Sequence, residues 1–233
     1  MSFPIRHRLR FLVRYWLTRV GEHLSSKQIH ALKAAAKYLE IGRGMGQLGH
    51  RMRPRFKTRD ELFDLVGREA GDRRVLYLEF GVFRGNSLRH WSKILHHPES
   101  KLHGFDSFEG LPEDWSDLVP KGHFSTAGAI PVIDDPRVKF FKGWFSQTLS
   151  EYRVPAHEVL VMNLDADLYS STKCVLEHFS SQIVPGAYMY FDEFSEPKHE
   201  FRAFMEFSAS TSRKFAVRGV TEGLESVLFQ CVA

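Results

Sequence analysis

The chain has 233 residues, 43% hydrophobic and 26% charged, so it can bury a sizeable core and is not a disordered chain. At roughly 150 residues a domain, this length allows one large domain with an extension but not two full domains. Two cysteines, Cys174 and Cys231, are too few for a disulfide framework or a four-thiolate zinc site. The composition therefore excludes a small secreted scaffold and favours a reducing, cytoplasmic location.

The formal net charge of +4 is unevenly distributed along the chain. Residues 1–59 contain 14 Lys and Arg against two acids, a balance of +12, whereas residues 60–233 have a balance of −8. We therefore predict a basic helical N-terminal extension over 1–59 and a main domain over 60–233. The extension favours an anionic partner, while the acidic main domain is a poor surface for specific nucleic-acid binding.

The basic extension opens with an amphipathic helical pattern. Arginines interrupt every apolar run well short of the ~20 residues that a membrane span needs. Helical spacing gathers apolar side chains on one face, namely Leu9, Leu12, Val13, Trp16 and Val20. We expect this face to pack on the chain itself or on a sister subunit of a homo-oligomer, with peripheral contact to an anionic membrane as the alternative. The glycine-rich stretch 42–49 reads as a flexible connection.

From residue 60 onward, strand-like and helix-like segments alternate. Such alternation predicts a Rossmann-like α/β fold, with a seven-stranded, mostly parallel sheet covered by helices on both faces. The last two strands are joined by a connection too short for a crossover, so we expect an antiparallel C-terminal hairpin at the sheet edge. The predicted strands are 74–80, 101–106, 138–143, 158–165, 186–192, 214–219 and 225–232, and the predicted helices include 88–95, 172–179 and 200–207.

The residues just after each strand are the informative ones, because ligands of open parallel sheets bind beyond the carboxyl ends of the strands. The first strand is followed by Gly81 and Gly85, but Phe83 stands where a dinucleotide-binding loop needs its second glycine. With Glu79 just ahead, this turn suits a ligand that carries an amino group and no pyrophosphate, such as the methionine part of S-adenosylmethionine. An ordinary structural turn is the alternative.

The second strand ends in Asp106, at a distance along the chain typical of an acid that binds ribose hydroxyls. A turn-capping role is the alternative for this residue.

Four acids follow the fourth and fifth predicted strands: Asp165, Asp167, Asp192 and Glu193. They would repel one another unless a cation or protons intervened. Oxygen ligands without nearby Cys or His favour Mg²⁺ or Ca²⁺, and a metal there would help to ionise an alcohol. Asp167 is then a candidate general base. Capping of the following helices is the alternative for some of these acids.

Five segments between Leu76 and Phe194 carry a resemblance to a known family: LEFGVFRGNSL, GFDSFEGLPEDW, KGWFSQTL, LDADLYSST and PGAYMYFDEF. They resemble the class I S-adenosylmethionine-dependent methyltransferases of the macrocin O-methyltransferase (TylF) type, which act on sugar hydroxyls in antibiotic biosynthesis. The resemblance implies a Mg²⁺ held by Asp165, Asp192 and Glu193, and catalysis by Asp167 and Asp165. It further implies a cofactor site made of Glu79, Gly81, Gly85, Ser87, Asp106, Ser107, Gly143, Trp144 and Phe145. Glu193 departs from the family, which has an aspartate there.

The segment 112–136 lacks any periodic pattern and is long for a loop, which is typical of a lid or binding loop. We expect it to cover a small-molecule acceptor, with His123 and Phe124 as candidate contacts. A sugar hydroxyl is the predicted acceptor, and a catechol or other phenol is the alternative. A dinucleotide-dependent oxidoreductase and a non-catalytic binding module are the competing functions.

Overall fold

The computed structural model describes residues 5–116 and 118–233. The chain divides into two compact units, Met1–Glu40 and Ile41–Ala233. Helix α1 (Ile5–Gly21) confirms the predicted N-terminal helix, and helix α2 (Ser26–Gln47) follows it. The side chain of Leu9, which the sequence placed on the apolar face, lies outside the described side chains. No helix in the described ranges is long and apolar enough to cross a membrane.

The second unit is built on one twisted sheet with the order β1-β7-β8-β6-β5-β2-β3-β4. Strand β8 is antiparallel to both of its neighbours, and the other recorded pairings are parallel. This arrangement confirms the mostly parallel sheet and the C-terminal antiparallel hairpin. The strands are β1 Arg55–Phe56, β2 Val75–Phe80, β3 Lys101–Asp106, β4 Val138–Lys142, β5 Val159–Leu164, β6 Tyr188–Phe191, β7 Phe215–Thr221 and β8 Val227–Cys231.

Helices cover both faces of the sheet, as expected. On one face, α3 and α4 pack through Phe63 and Trp91 against sheet residues such as Tyr77. On the other, α6 and α7 contribute Val175 and Phe204 to a larger apolar cluster. The helices of this unit are α3 Arg59–Ala70, α4 Asn86–Ile94, α5 Phe145–Glu151, α6 Tyr169–His178 and α7 Glu200–Ser210, with a short 3₁₀ turn at Ser180–Gln182.

Two details differ from the sequence prediction. The sheet has an eighth strand, because Arg55–Phe56 pairs in parallel with β7 and becomes the edge strand. The glycine-rich stretch 42–49 is not a flexible connection, since α2 runs through it to Gln47. Ile41 and Met45 are buried there, and Gly44 lets the helix approach the Phe201 side chain more closely than any Cβ would permit. Burial of this helix face thus outweighs the low helix propensity of glycine.

Candidate functional site

A cavity of about 510 Å³ opens at the carboxyl ends of the parallel strands. Its volume lies within the ~300–1,000 Å³ typical of small-molecule sites. Most of the residues that the sequence assigned to the site line this cavity: Glu79, Gly81, Ser87, Asp106, Ser107, Gly143, Trp144, Phe145, Asp165, Asp167, Asp192 and Glu193. Gly85 and His123 are not among its lining residues. The sheet topology therefore brings together motifs that are more than 100 residues apart.

The turn after β2 requires both of its glycines. Gly81 has a φ of 93°, and a Cβ there would overlap the carbonyl oxygen of Asp165. Gly85 has a φ of 72° and sits at the N-terminal cap of α4. Gly85 therefore shapes the turn into the helix rather than the cavity wall.

Asp106 organises this same turn. One carboxylate oxygen, Oδ2, accepts hydrogen bonds from the backbone N–H groups of Val82 and Phe83, both at 2.8 Å. The other, Oδ1, accepts from the N–H of Phe108 at 2.7 Å. The turn-capping role that the sequence left open for Asp106 is therefore real. Its carboxylate also lines the cavity, where it is available to accept hydrogen bonds from a ligand.

Glu79 is a buried carboxyl group in a chain of hydrogen bonds. The Tyr77 hydroxyl donates to Glu79 Oε2 at 2.7 Å and accepts from the Asn163 side-chain amide at 3.0 Å. Burial raises the pKa of Glu79 to about 8. In the described part of the chain, no Lys or Arg lies within ion-pair distance of Glu79. A cationic ligand group at this end of the cavity would therefore be favoured.

The aromatic wall lies where β4 ends. Gly143 has a φ of 144°, and its N–H donates to the carbonyl of Asp106, which ties this segment to β3. Trp144 precedes α5, and the Phe145 ring packs edge-on against Phe80 at 5.8 Å. Trp144 and Phe145 thus add apolar aromatic surface to the lining of the cavity.

Asp165 and Asp192 face an arginine that the sequence analysis did not single out. Arg59, the first residue of α3, has its Nη1 3.6 Å from Asp165 Oδ2 and 3.5 Å from Asp192 Oδ1. The Tyr190 hydroxyl also donates to Asp192 Oδ1, at 2.5 Å.

Thr58 caps helix α3 by accepting a hydrogen bond from the N–H of Glu61. The Thr-x-x-Glu spacing was a readable signal for this helix start, but not for the pairing of Arg59.

The three predicted magnesium ligands are Asp165, Asp192 and Glu193. The oxygen donors of Asp165, Asp192 and Glu193 have the right chemistry for a hard divalent ion. However, over residues 5–116 and 118–233 no three His, Cys, Asp or Glu side chains come together as a metal site. A guanidinium instead lies between two of the three predicted ligands. As arranged, these residues do not fit the ion, and the magnesium prediction is not confirmed.

Asp167 lies in the loop after β5 with a φ of 58°, a left-handed conformation that is uncommon for residues other than glycine. Burial, with the nearby charges of Asp192 and Asp106, raises its pKa to about 7. Phe83 and Phe124 also line the cavity with positive φ, at 50° and 63°. Strained backbone of this kind clusters at functional sites.

Glu200 is a second residue that the sequence analysis missed. Its fully buried carboxylate accepts from the Ala166 N–H at 3.3 Å and from the Glu193 N–H at 2.9 Å. It therefore ties together the two loops that carry Asp165 and Asp192. A lone Glu in an amphipathic helix gives no sequence signal for such a role.

The predicted lid segment 112–136 is an ordered loop without helices or regular strands in its described part. It folds back on the chain just before it, because the Thr126 and Gly128 N–H groups both donate to the carbonyl of Phe108. The Phe124 ring meets Phe83 edge-on at 5.8 Å and lines the cavity, whereas the neighbouring His123 does not.

With the geometry in place, comparison with known proteins gives the family. The model of the family described as "Macrocin-O-methyltransferase (TylF)" matches residues 23–232. This chain belongs to that family. The match extends the resemblance seen in five separate segments to almost the whole chain.

Two relatives carry names of sugar O-methyltransferases. Over 159 residues the chain is 29% identical to the 8-demethyl-8-(2,3-dimethoxy-alpha-L-rhamnosyl)-tetracenomycin-C 4'-O-methyltransferase of Streptomyces olivaceus, covering 54% of this chain and 57% of that protein. Over 109 residues it is 29% identical to the mycinamicin III 3''-O-methyltransferase of Micromonospora griseorubida, covering 45% of this chain and 40% of that protein. The chain thus spans about half the length of the curated relatives that it matches.

Solved structures show the same fold. The calicheamicin methyltransferase CalS11 matches with a TM-score of 0.57 at 20% identity, covering 89% of this chain and 94% of that chain. The O-methyltransferase NovP matches with a TM-score of 0.52 at 22% identity, covering 74% of this chain and 76% of that chain. At these identities the comparison establishes the architecture, which is that of a methyltransferase.

Proposed function

We propose that this protein is an S-adenosylmethionine-dependent O-methyltransferase that acts on a hydroxyl of a sugar or a glycosylated natural product. One observation carries the proposal: the family motifs, which are spread over more than 100 residues, converge on a single cavity at the carboxyl ends of the strands. A dinucleotide-dependent oxidoreductase would place a glycine where Phe83 stands.

The residues of the cavity suit each part of S-adenosylmethionine. Glu79 would lie against the ammonium group of the methionine part, whose positive charge would stabilise the ionised carboxylate against the burial that raises its pKa to about 8. Asp106 would accept from the ribose hydroxyls while it holds the turn after β2. Trp144 and Phe145 would contact the adenine. Ser87 and Ser107, at the start of α4 and after β3, offer further hydroxyl groups to the same ligand.

In the proposed reaction, S-adenosylmethionine supplies a methyl group activated by its sulfonium. Asp167 would take the proton of the acceptor hydroxyl, so that the hydroxyl oxygen could accept the methyl group that bound S-adenosylmethionine would supply, with the carbon–sulfur electron pair left on a neutral thioether. Asp165, held by Arg59, lies two residues from Asp167 and fixes the loop that presents this base. The cavity holds the two reactants at near-attack distance and limits water between them, which accounts for much of the acceleration. No step runs through a divalent ion.

The acceptor is proposed to be a sugar because the names of both curated relatives specify methylation of a sugar hydroxyl or of a glycosylated product. The loop that contains Phe124 would close over it, since this ring lies at the cavity mouth beside Phe83. Loops of this kind set acceptor choice on a shared scaffold.

Mass spectrometry tests the proposal. We expect transfer of a labelled methyl group from S-adenosylmethionine to at least one member of a glycoside panel. We expect no turnover of NADH with the same panel. Substitution Asp167→Asn should lower kcat by roughly 10²- to 10⁴-fold, the usual contribution of a general base, with little change in the Kd of S-adenosylmethionine.

Asp134→Asn is the matched control, because Asp134 lies in the loop 112–136 but is not among the residues that line the cavity. It should retain the wild-type rate. Methylation of catechols and not of glycosides would overturn the proposed acceptor class, and failure of the protein to bind S-adenosylmethionine would overturn the proposed activity.

We also propose that the protein forms a homo-oligomer through the apolar face of α1. Leu12, Val13, Trp16 and Val20 are each more than half exposed. The charge balance of −8 over residues 60–233 complements the +12 of residues 1–59, so a second copy offers the basic helix an oppositely charged partner. Peripheral membrane contact and a cytoplasmic location stay as predictions from the sequence.

A further inference from the structure

Two neighbouring parallel strands are each followed by an aspartate at the same edge of the sheet. Asp165 follows β5 and Asp192 follows β6, and these strands are adjacent and parallel. Two partly desolvated carboxylates so placed repel each other unless a positive charge lies between them. The position is the one that the family resemblance assigns to a divalent ion.

The guanidinium of Arg59 provides this positive charge. The Nη1 atom of Arg59 is 3.6 Å from Asp165 and 3.5 Å from Asp192, and its side chain is only 36% exposed. A guanidinium is planar and delocalised, so it can face two carboxylates at once.

One carboxylate oxygen of Asp192, Oδ1, already has several hydrogen-bond donors around it. Its Oδ1 accepts from the Tyr190 hydroxyl at 2.5 Å and from the Ser226 hydroxyl at 3.4 Å, in addition to facing Arg59. A divalent ion would have to displace these donors to bind the same oxygen. Glu193, the third predicted ligand, does not join Asp165 and Asp192 in any metal-binding group of the described residues.

We propose that Arg59 takes the place of the divalent cation, so that its guanidinium and a metal ion compete for Asp165 and Asp192. The inference deepens the proposed function, because in that reaction Arg59 would be a positioning residue that fixes the loop of Asp167. The competition itself is a property of the binding site, and it is measured without methyl transfer. Its failure and the failure of the proposed function are therefore distinguishable.

Titration with Mn²⁺, followed by electron paramagnetic resonance of the free ion, tests the competition in the full-length chain. We expect weak binding to the wild type and at least about 10-fold tighter binding to Arg59→Gln, which leaves both carboxylates uncompensated. Arg84→Gln is the matched control, since Arg84 lines the same cavity but its guanidinium lies over the Phe83 ring at 5.0 Å. This control should bind Mn²⁺ as the wild type does.

An unchanged or weaker Mn²⁺ affinity of Arg59→Gln would overturn the proposal, as would tight Mn²⁺ binding to the wild type. Circular dichroism checks that each variant is folded. Arg59→Met serves as the second variant if Arg59→Gln does not fold, because it also removes the positive charge. A gain in Mn²⁺ affinity of Arg59→Met supports the proposal, and no gain contradicts it. Wild-type protein treated with EDTA should also keep its full methyl-transfer rate.

Discussion

At the scale of single residues, three carboxylates of one cavity have different partners, and we propose a different role for each. Glu79 is buried with no Lys or Arg within ion-pair distance among the described residues, so a cationic ligand would stabilise its ionised form. Asp106 accepts three backbone N–H groups, which makes it part of the turn as well as of the cavity wall. Asp167 has a left-handed backbone conformation and, within the described residues, no ion pair, which leaves its carboxylate open for the proposed role of proton acceptor. The environment, and not the residue type, decides which of these tasks a carboxylate performs.

Substitution Asp106→Ala should weaken the binding of S-adenosylmethionine by about 1–3 kcal/mol, which is roughly 5- to 150-fold in Kd. The loss has two sources, since the ribose loses an acceptor and the turn after β2 loses the oxygen that holds the N–H groups of Val82 and Phe83. Isothermal titration calorimetry measures the affinity. Asp114→Ala is the control, because Asp114 accepts from the Lys121 N–H away from the cavity. Equal affinities of the two variants would remove Asp106 from the cofactor site.

At the scale of elements, α2 shows how packing overrides local preference. Glycines at positions 42, 44 and 46 argue against a helix, yet the helix continues through them to Gln47. Gly44 is the position where a glycine is required, because the Phe201 ring of α7 occupies the space that a Cβ would take. Gly46, in contrast, has open space around it.

Gly44→Ala should destabilise the protein by about 1–3 kcal/mol, because the added methyl group forces Phe201 or the helix to move. Gly46→Ala is the matched control in the same helix and should stabilise the protein by roughly 0.5–1 kcal/mol through its higher helix propensity. Urea unfolding followed by circular dichroism gives both free energies of unfolding. Equal shifts in the two variants would contradict the packing argument.

At the scale of the whole molecule, charge and exposed apolar surface occur together in the N-terminal segment. Trp16 is 64% exposed and Val13 and Val20 are each 51% exposed, on a helix whose other side carries arginines. Isolated apolar residues on a surface are ordinary, but a continuous apolar helix face is typical of an interaction surface. In the proposed homo-oligomer, the acidic main domain of a second copy would provide a complementary charge.

Substitution Trp16→Glu should convert the wild-type oligomer to a monomer, because it buries a charge at the centre of the proposed interface. Thr18→Glu introduces the same charge on the other side of α1 and should leave the oligomer intact. Size-exclusion chromatography with light scattering measures the mass of each. A monomeric wild type that binds vesicles rich in phosphatidylserine would assign the face to a membrane instead.

The sequence by itself determined the alternation of the seven predicted strands with helices, the turn glycines and most of the motif residues that line the cavity. These features follow from periodicity, turn chemistry and family pattern, all of which are local along the chain. Only the tertiary structure decided that Arg59 faces Asp165 and Asp192, that Glu200 ties their loops, and that the 42–49 stretch is helical. Each of these depends on a contact between segments far apart in sequence, such as Arg59 with Asp192 or Gly44 with Phe201. Neither partner carries a local signal of the other, because the free energy of such a contact exists only once the chain has folded.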